Sequence, residues 1–406
     1  MRRSDMEGQR VAIWGPGKEG LAAADFIQGV PFVFLDEAEG PAEIGGHSVQ
    51  HGITQIRAVL STCDVLVKSP GVSLYRSELV EFRERGGIVT SLLNLWLAEP
   101  SKAKRIGVTG TKGKSTTASL LAHALARLGK SVQLVGNIGV PVTEATEADY
   151  HILELSSYQC ADIEGKLDVA LVSNLYPEHL DWHGSEAAYY RDKANLLSAG
   201  ATKLISAQAA ATGVILPEDV SVFDPDRVIE TNNPYLRRPH NQKNLAAVQA
   251  VLDVLGLNLP EMDDFHGLPH RQQELGEKAG VLYVNDSIST TPQSAIAALE
   301  VYAHRPVTLI AGGHDRGVDY APLVNYLKSH EVAGVVCMGP SGERIHDGLS
   351  GMKNLFMARN MSEAMALARD MTPEGGVILL SPAAPSYGLF ANFEERGRVF
   401  SQEAGL

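Results

Sequence analysis

The sequence contains few cysteines and no long stretch of apolar residues. Only three of its 406 residues are cysteine, Cys63, Cys160 and Cys337, and no CxxC pair occurs. This odd number and wide spacing argue against a disulfide framework or a cysteine-based zinc site and favour buried free thiols in a reducing compartment. The longest uncharged run, residues 375–393, contains two prolines, two serines and an asparagine. It is a poor membrane span, and we expect a strand and a loop there.

Positive charge is also scarce. The chain has 35 Lys and Arg residues against 48 Asp and Glu residues, a formal net charge of −13. A nucleic-acid or anionic-membrane binder needs a broad basic face, so neither function is expected, although one cleft can still bind an anion. The first residues are polar and no apolar segment follows them. We therefore expect no signal peptide, no membrane insertion and a cytoplasmic, soluble protein.

Short β-branched runs alternate with amphipathic stretches from end to end, which is typical of parallel sheets covered by helices. The length predicts two or three domains. A polar segment at 98–102 and a Gly-Leu-Pro turn at 267–269 divide the chain, so we predict three α/β domains, at residues 1–100, 101–268 and 269–406. The predicted strands are 11–14, 32–35, 64–67 and 87–89 in the first, 105–109, 132–135, 151–153 and 169–173 in the second, and 281–284, 307–311, 335–338 and 377–380 in the third. A helix at 241–255 closes the second domain.

A glycine-rich loop lies between a predicted strand and a helix in the second domain. Its residues are Gly110, Thr111, Lys112, Gly113, Lys114, Ser115 and Thr116. Glycine allows backbone N–H groups to surround phosphates at a helix N-terminus, where the dipole favours anions. Lys114 can reach the outer phosphates and the Ser115 hydroxyl can ligate Mg²⁺. A strict P-loop has glycine where this chain has Val108, and the alternative is a turn that only caps a helix.

The first domain carries a GxGxxG turn after its first strand. Gly15, Gly17 and Gly20 are followed by Asp36 at the end of the next strand, the spacing of a dinucleotide-binding fingerprint. The pattern does not identify the nucleotide, and a tight turn without a ligand is the alternative. An NAD-dependent dehydrogenase is a rival of another class, but the glycine-rich loop of the second domain has no role in it.

Three further residues could carry chemistry beside that loop. Glu154 ends a predicted strand, the place where a second Mg²⁺ ligand belongs in an open α/β sheet. His179 follows the next strand and could join it, although a lone histidine is more often a satisfied loop or core residue. Lys193 alone reads as a solvated helix lysine.

Taken in order, these residues resemble the Mur ligase family over nearly the whole chain. The motifs that carry the resemblance are the GTxGKS loop, Gly136-Asn137-Ile138-Gly139, Glu154-Leu155-Ser156-Ser157, His179, a YRxxK segment ending at Lys193, residues 240–244 (His-Asn-Gln-Lys-Asn), His270-Arg271 and Asn285-Asp286-Ser287. The C-terminal segments 380–386 and 392–397 are most similar to the glutamate-adding members.

The resemblance implies a Rossmann-like UDP-binding domain, a central P-loop ATPase domain and a Rossmann-like C-terminal domain. The expected reaction is ATP-dependent ligation of glutamate, in the D form, to UDP-MurNAc-L-Ala through an acyl phosphate in peptidoglycan biosynthesis. ATP and two Mg²⁺ ions are the expected cofactors, and a monomer is expected.

The resemblance also implies roles for individual residues. Lys114, Lys193 and His179 would be catalytic, and Ser115, Glu154, His179 and a carbamylated Lys193 would bind metal. ATP would contact residues 110–116, Asn244, Arg271 and Asp286. The UDP-sugar substrate would contact Gly15, Gly17, Lys18, Glu19, Asp36 and Asn137, and glutamate would contact Thr290, Arg316, Ser386, Tyr387 and Phe393.

Three positions depart from the pattern of the glutamate-adding members. Ile288 and Arg316 replace lysines, and Tyr387 replaces a leucine. Arginine binds a carboxylate as a planar fork and lysine as a point charge, so the two are not equivalent. The alternatives are an L-glutamate-adding ligase that works with a separate epimerase, another Mur ligase, and a non-catalytic nucleotide-binding homologue.

Overall fold

The computed structural model describes residues 1–138 and 140–406, so Gly139 of the predicted Gly-Asn-Ile-Gly motif lies outside the described residues. Three six-stranded sheets follow one another along the chain, each with interleaved helices. The chain forms two compact units, Met1–Phe265 with two of the sheets and His266–Leu406 with the third. The predicted fold class, three consecutive α/β sheets, is confirmed.

The first sheet has the order β3-β4-β2-β1-β5-β6, and all its pairs are parallel except β3 with β4. Its strands are β1 (Val11–Trp14), β2 (Phe32–Asp36), β3 (Glu43–Ile44), β4 (His47–His51), β5 (Val65–Lys68) and β6 (Ile88–Thr90). Its helices are α1 (Lys18–Phe26), α2 (Gly52–Leu60), α3 (Ser77–Glu84) and α4 (Leu92–Ala98), and a short 3₁₀ helix (Arg3–Met6) precedes β1.

The second sheet is fully parallel, in the order β12-β11-β10-β7-β9-β8. Its strands are β7 (Lys104–Thr109), β8 (Val132–Gly136), β9 (Tyr150–Glu154), β10 (Leu167–Val172), β11 (Gly200–Ser206) and β12 (Val220–Phe223). Its helices are α5 (Lys114–Arg127), α6 (Ser157–Ala161), α7 (Leu180–His183), α8 (Glu186–Ala194), α9 (Leu196–Ala199), α10 (Ala207–Ala210) and α11 (Pro239–Leu255), with a 3₁₀ turn at Val142–Glu144.

The third sheet has the order β13-β14-β18-β15-β16-β17, with one antiparallel edge strand, β13. Its strands are β13 (Gln273–Lys278), β14 (Val281–Asn285), β15 (Val307–Gly312), β16 (Gly334–Met338), β17 (Leu355–Ala358) and β18 (Val377–Leu380). Its helices are α12 (Pro292–Val301), α13 (Ala321–Ser329), α14 (Gly339–Gly348), α15 (Met361–Met371) and α16 (Phe393–Ala404).

Every strand predicted from the sequence is present, and β1 and β18 have the predicted bounds. The strands that were not predicted are mostly at or next to sheet edges: β3 and β4 in the first sheet, β11 and β12 in the second, and β13 and β17 in the third. In the described part of the chain no helix is long and apolar enough to cross a membrane. The three cysteines are free, with Cys160 and Cys337 buried and Cys63 only half-buried.

Helix α4 joins the cores of the first two sheets. Its sequence, Leu-Leu-Asn-Leu-Trp-Leu-Ala, is apolar on nearly every side, and residues 92–97 are all buried, as expected for a helix enclosed by protein. Ser91 caps its first turn by accepting a hydrogen bond from the Asn94 N–H. The buried Asn94 side chain donates to the Asp162 carbonyl at 2.7 Å and accepts from the Glu164 N–H at 2.7 Å. One amide therefore links this helix to the loop after α6 in the second sheet's half of the unit.

Replacement of Asn94 by alanine (Asn94→Ala) should destabilise the first unit by about 1–3 kcal/mol, because it removes a buried side chain together with its hydrogen bonds to the part-buried Asp162 carbonyl and Glu164 N–H. Urea unfolding followed by tryptophan fluorescence measures this loss. Asn232, an exposed asparagine of the same unit, provides the control, and Asn232→Ala should change stability by less than about 0.5 kcal/mol. Equal effects of the two variants would contradict the bridging role of Asn94.

Candidate active site

The chain reverses its strand order at the centre of the second sheet. Strands β9 and β8 lie on one side of β7, and β10, β11 and β12 lie on the other. In open α/β sheets the crevice at the carboxyl ends of the strands, at such a switch point, is the usual ligand site. The glycine-rich loop leaves β7 there, and the segment that leads to His179 leaves the neighbouring β10.

The glycine-rich loop has the backbone shape of an anion cradle. Gly113 is the N-cap of α5 and has a left-handed conformation, φ +75°. A Cβ atom at Gly113 would lie 2.3 Å from the Asn244 Oδ1, and one at Gly110 would lie 2.1 Å from the Ser173 Oγ. The first-turn N–H groups of α5 have no intrahelical acceptor and open toward this loop. Close contacts therefore restrict both positions, and at Gly113 the left-handed backbone favours glycine as well.

The side chains of the lysine and the hydroxyl residues at the end of this loop stay close to its backbone. The Lys114 Nζ donates to the Thr111 carbonyl at 3.1 Å, and Ser115 and Thr116 are buried in the first turn of α5. Asn244, on α11, accepts a hydrogen bond from the Thr117 hydroxyl at 3.2 Å. The structure thus brings together residues 110–116 and Asn244, all predicted as one nucleotide site.

Asn174 holds the loop in place and was not predicted as a site residue. Its Oδ1 accepts from the N–H groups of Thr111 and Lys112 at 3.0 and 2.8 Å, and its Nδ2 donates to the Lys112 carbonyl at 2.7 Å. The signal that could have identified it is its position, just after the strand next to β7.

Glu154 has the properties of a cation ligand. It is the last residue of β9, pairs in register with Val108 of β7, and is 1% exposed. Its Oε2 atom is buried without a hydrogen-bond partner. A buried carboxylate oxygen needs a compensating donor or cation, so this residue fits the predicted role of metal ligand.

His179 precedes α7 and has a left-handed backbone conformation, φ 54°, which is uncommon for a non-glycine residue. Burial lowers the pKa of His179, and the negative charge of Glu178 partly offsets this by raising it. Neutral imidazole is the form that binds metals. Among the described residues no cluster of three or more His, Cys, Asp or Glu side chains is arranged for a metal. The predicted metal ligands would not form such a cluster, because only Glu154 and His179 are of these types and the others are the Ser115 hydroxyl and a carbamylated Lys193.

Lys193 is almost fully buried, at 1% exposure, and is not the solvated helix lysine that its local sequence suggests. Its Nζ donates to the Gly110 carbonyl at 2.8 Å and lies 3.4 Å from the Thr109 Oγ1. Burial, and then the charge of Lys114, lower the pKa of Lys193 to about 7. A substantial fraction of this amine is therefore neutral at neutral pH, beside the glycine-rich loop.

A buried histidine–aspartate pair, absent from the predictions, fixes the helix that carries Lys193. His183 and Asp192 are joined by a 2.6 Å hydrogen bond at Nδ1, and the His183 Nε2 lies 3.0 Å from the Ser157 Oγ. The Tyr75 hydroxyl, from the first sheet, donates to Asp192 at 2.7 Å. No local sequence pattern marks these residues, because Tyr75 and Asp192 are 117 positions apart in the chain.

The GxGxxG turn forms a second candidate site, at the carboxyl edge of the first sheet. Strand order reverses between β1 and β5, and Gly15 (φ +98°) accepts a 2.8 Å hydrogen bond from the Ser69 Oγ. A Cβ at Gly20 would lie 1.9 Å from the Gly15 carbonyl oxygen, so this glycine allows close packing of helix on strand. Asp36 ends β2 beside the turn, because the Gly15 N–H donates to the Leu35 carbonyl.

The other predicted residues of this site differ in exposure. Gly17 and Lys18 are exposed at the start of α1, whereas Glu19 is half-buried and accepts a 3.4 Å hydrogen bond from Gln159. Burial raises the pKa of Glu19. Asn137 is exposed, and its N–H donates to the Glu154 carbonyl, so it belongs to the edge that carries Glu154.

The remaining predicted residues belong to the unit His266–Leu406. Asp286 follows β14, and its carboxylate accepts from the hydroxyls of Ser289 (2.5 Å) and Ser381 (2.7 Å). Burial raises the pKa of Asp286 to about 6. Ser386 is buried, Arg316 and Tyr387 are exposed, and Arg271, Thr290 and Phe393 are intermediate.

Arg396 connects two of these loops and was not singled out from the sequence. It is fully buried and donates to the Ser287 side chain and carbonyl and to the Ala384 carbonyl. Burial lowers its pKa to about 10. The segments after β14 and β18 are thus fixed to each other by one side chain.

The two glycines that flank helix α5 allow a matched test of the anion cradle. Gly113 and Gly129 both have φ +75°, but a Cβ at Gly129 meets nothing within 4 Å. Each Gly→Ala change should cost about 1 kcal/mol of stability from backbone strain. Only Gly113→Ala should also lower the affinity for a fluorescent ATP analogue, by about tenfold or more, because the new Cβ displaces the loop. Equal affinity of both variants would exclude the loop as the phosphate site.

Comparisons with known proteins show the family to which the chain belongs. The family model for the Mur ligase middle domain matches residues 108–212, and the model for the Mur ligase glutamate ligase domain matches residues 270–384. A UDP-N-acetylmuramoyl-L-alanine–L-glutamate ligase of Salinispora tropica is 39% identical, over 99% of this chain and 98% of its own length. The enzyme of the same name from Xanthomonas campestris pv. campestris is also 39% identical, over 100% and 97%.

Two solved structures share the fold at low sequence identity. The UDP-N-acetylmuramate–alanine ligase MurC of Thermotoga maritima has a TM-score of 0.58 at 18% identity, over 98% of this chain and 99% of that one. MurF of Acinetobacter baumannii has a TM-score of 0.57 at 16% identity, over 99% and 93%. Since relatives 39% identical cover almost its whole length and two family models match its second and third sheets, the chain belongs to the Mur ligase family.

Proposed function

We propose that this protein is an ATP-dependent ligase that joins L-glutamate to UDP-MurNAc-L-Ala in peptidoglycan biosynthesis. The observation that supports the proposal is the edge of the second sheet, which carries a glycine-rich loop, the buried Glu154 with an unpartnered Oε2, and the buried Lys193. Family membership sets aside the dehydrogenase alternative.

The relatives named above act, by their names, on L-glutamate, whereas the sequence motifs favoured D-glutamate. The proposal therefore takes the L-glutamate alternative, with a separate epimerase supplying the D centre. The departures Ile288, Arg316 and Tyr387 support a changed amino-acid pocket, because all three belong to the unit in which the glutamate ligase domain model matches.

We assign one ligand to each of the three α/β regions, with the predicted boundaries. Residues 1–100 would bind the UDP-sugar through Gly15, Gly17, Lys18, Glu19 and Asp36, with Asn137 contributed by the second region. Residues 101–268 would bind ATP through the glycine-rich loop and Asn244. Residues 269–406 would bind glutamate through Thr290, Arg316, Ser386, Tyr387 and Phe393, and Arg271 and Asp286 keep their expected role as ATP contacts. Because ATP and UDP-linked precursors are cytoplasmic, we place the enzyme there, as a monomer.

The chemistry follows from the poor reactivity of a carboxylate. The L-alanyl carboxylate oxygen attacks the γ-phosphorus of ATP, the bond to ADP breaks, and an acyl phosphate forms. The glutamate amine then attacks the carbonyl carbon, loses a proton, and expels inorganic phosphate to leave an amide. Lys114 neutralises charge on the transferring phosphoryl group, and most of the remaining acceleration comes from positioning the substrates.

Divalent metal fits this site, because the buried Oε2 of Glu154 lacks a protein partner. Relatives of known fold include a MurF with ADP and a folylpolyglutamate synthase with Mn and AMPPNP. We propose that two Mg²⁺ ions, held by Ser115, Glu154, His179 and carbamylated Lys193, supply charge neutralisation for phosphoryl transfer.

Phosphate release distinguishes the proposal from its rivals. Purified protein with ATP, Mg²⁺ and UDP-MurNAc-L-Ala should release phosphate with L-glutamate and not with D-glutamate. The variant Lys114→Ala should lower turnover by about 10²- to 10³-fold while circular dichroism stays unchanged. Release with D-glutamate alone would overturn the assigned hand, and release with neither amino acid would overturn glutamate as substrate.

Carbamylation of Lys193 is testable without turnover. Protein incubated with ¹³C-bicarbonate near neutral pH should show a carbamate carbon signal in the NMR spectrum, since the buried amine has a pKa of about 7 and is available to CO₂. The signal should disappear in Lys193→Ala and persist in Lys203→Ala, in which a lysine outside the site is removed. A signal that survives Lys193→Ala would refute the assignment.

A further inference from the structure

The loop after β2, residues 37–41, borders the proposed nucleotide site of the first sheet. Asp36 ends β2 next to the Gly15 turn. In Rossmann-like sites a carboxylate at this position contacts the ribose. The residues that follow Asp36 would therefore lie next to the nucleoside, where their conformation would affect its binding.

His51 holds this loop through two backbone carbonyls. Its Nδ1 lies 2.5 Å from the Ala38 oxygen and its Nε2 lies 2.9 Å from the Pro41 oxygen. A carbonyl oxygen only accepts, so both ring nitrogens must carry a proton, and the geometry requires an imidazolium. His51 is the last residue of β4 and pairs in register with Asp36, so the clamp lies directly beside the proposed ribose ligand.

The surroundings of His51 favour its charged form. The hydrogen bonds to Pro41 and then Ala38 raise the pKa of His51, burial opposes them, and Asp36 on β2 and Glu39 in the loop add to the increase. Gly40 packs against the ring, where a Cβ would approach to 3.1 Å.

A second anchor holds the start of the loop. The Arg76 guanidinium lies 5.0 Å from the Trp14 ring centroid and pairs with the Glu37 carboxylate at 2.7 Å. The loop is thus fixed by a permanent cation at one end and by a titratable cation across its middle.

We propose that His51 is a positioning residue for the UDP part of the substrate. In its imidazolium form, His51 holds residues 37–41 in the conformation that binds UDP. The inference rests on the proposed function of the first sheet. Deprotonation removes one donor and turns a nitrogen lone pair toward a carbonyl oxygen, so the clamp is complete below the pKa of His51 and is lost above it. The KM for the UDP-linked substrate must then rise with pH.

The test compares two histidines of the same strand. His47 also lies on β4, but its ring stacks on Phe32 at 4.2 Å. His51→Gln should raise the KM for UDP-MurNAc-L-Ala about tenfold at about pH 6, the equivalent of one charge-assisted hydrogen bond, and should remove its rise toward about pH 9. The kcat and the KM for ATP should not change, and His47→Gln should match wild type. If His51→Gln and wild type share the same pH profile of KM, the proposal is overturned.

A second measurement needs no variant and no turnover. If UDP binds better to the charged form of His51, linkage requires UDP to raise the pKa of that residue. In protein labelled with ¹⁵N-histidine, the midpoint of the His51 titration should move upward when UDP is added. UDP that binds without shifting the midpoint would overturn the role of His51 and leave the ligase intact. If UDP neither binds nor is part of a substrate that turns over, the proposed function and this inference fail together.

Discussion

The hydrogen bond between the Lys193 Nζ and the Gly110 carbonyl is the contact that links the proposed metal site to the glycine-rich loop. It joins helix α8 to the glycine-rich loop at 2.8 Å. The buried amine has no carboxylate within ion-pair distance among the described residues, and burial is what brings its pKa to about 7. The site therefore tolerates this lysine because it can lose its charge there. The same loss makes the amine reactive.

Hydrogen bonds further from the glycine-rich loop fix the position of Lys193. Asp192 precedes it on α8 and is held by His183 and by Tyr75, and the Tyr75 hydroxyl also accepts from Arg191 at 2.7 Å. Ser73, which lies with Tyr75 in the loop between β5 and α3, donates to the Trp182 carbonyl at 3.0 Å. The edge of the first sheet, where the UDP-linked substrate is proposed to lie, is thus connected by short hydrogen bonds to the helix of the proposed metal site. One compact unit, Met1–Phe265, follows from these contacts and from the shared helix α4.

Local pattern predicted those parts of the structure whose cause is local. β-branched runs at 11–14 and 377–380 became strands with the same bounds, because central parallel strands are apolar on both faces. The glycine turns were also predicted from a local cause, because φ values of +98° at Gly15 and +75° at Gly113 favour glycine. Edge strands such as β13, Gln-Glu-Leu-Gly-Glu-Lys, were missed because one side faces solvent and the apolar signal disappears. Asn174 and Tyr75 were missed because their partners are distant in sequence, with |i−j| of 63 and 117.

Discrimination between the two forms of glutamate requires a rigid pocket. Enantiomers place the same groups in mirror order around Cα, so at least three contacts must be fixed relative to one another. In the unit His266–Leu406, Arg396 fixes the segments after β14 and β18 by donating to Ser287 and Ala384, and Asp286 is fixed by two serine hydroxyls. These buried residues form a fixed framework. The exposed Arg316 and Tyr387 lie outside these bonds, and a forked guanidinium in place of an ammonium changes the direction from which a carboxylate is held. Selection between L- and D-glutamate can therefore change at such exposed positions without disturbing the fold beneath them.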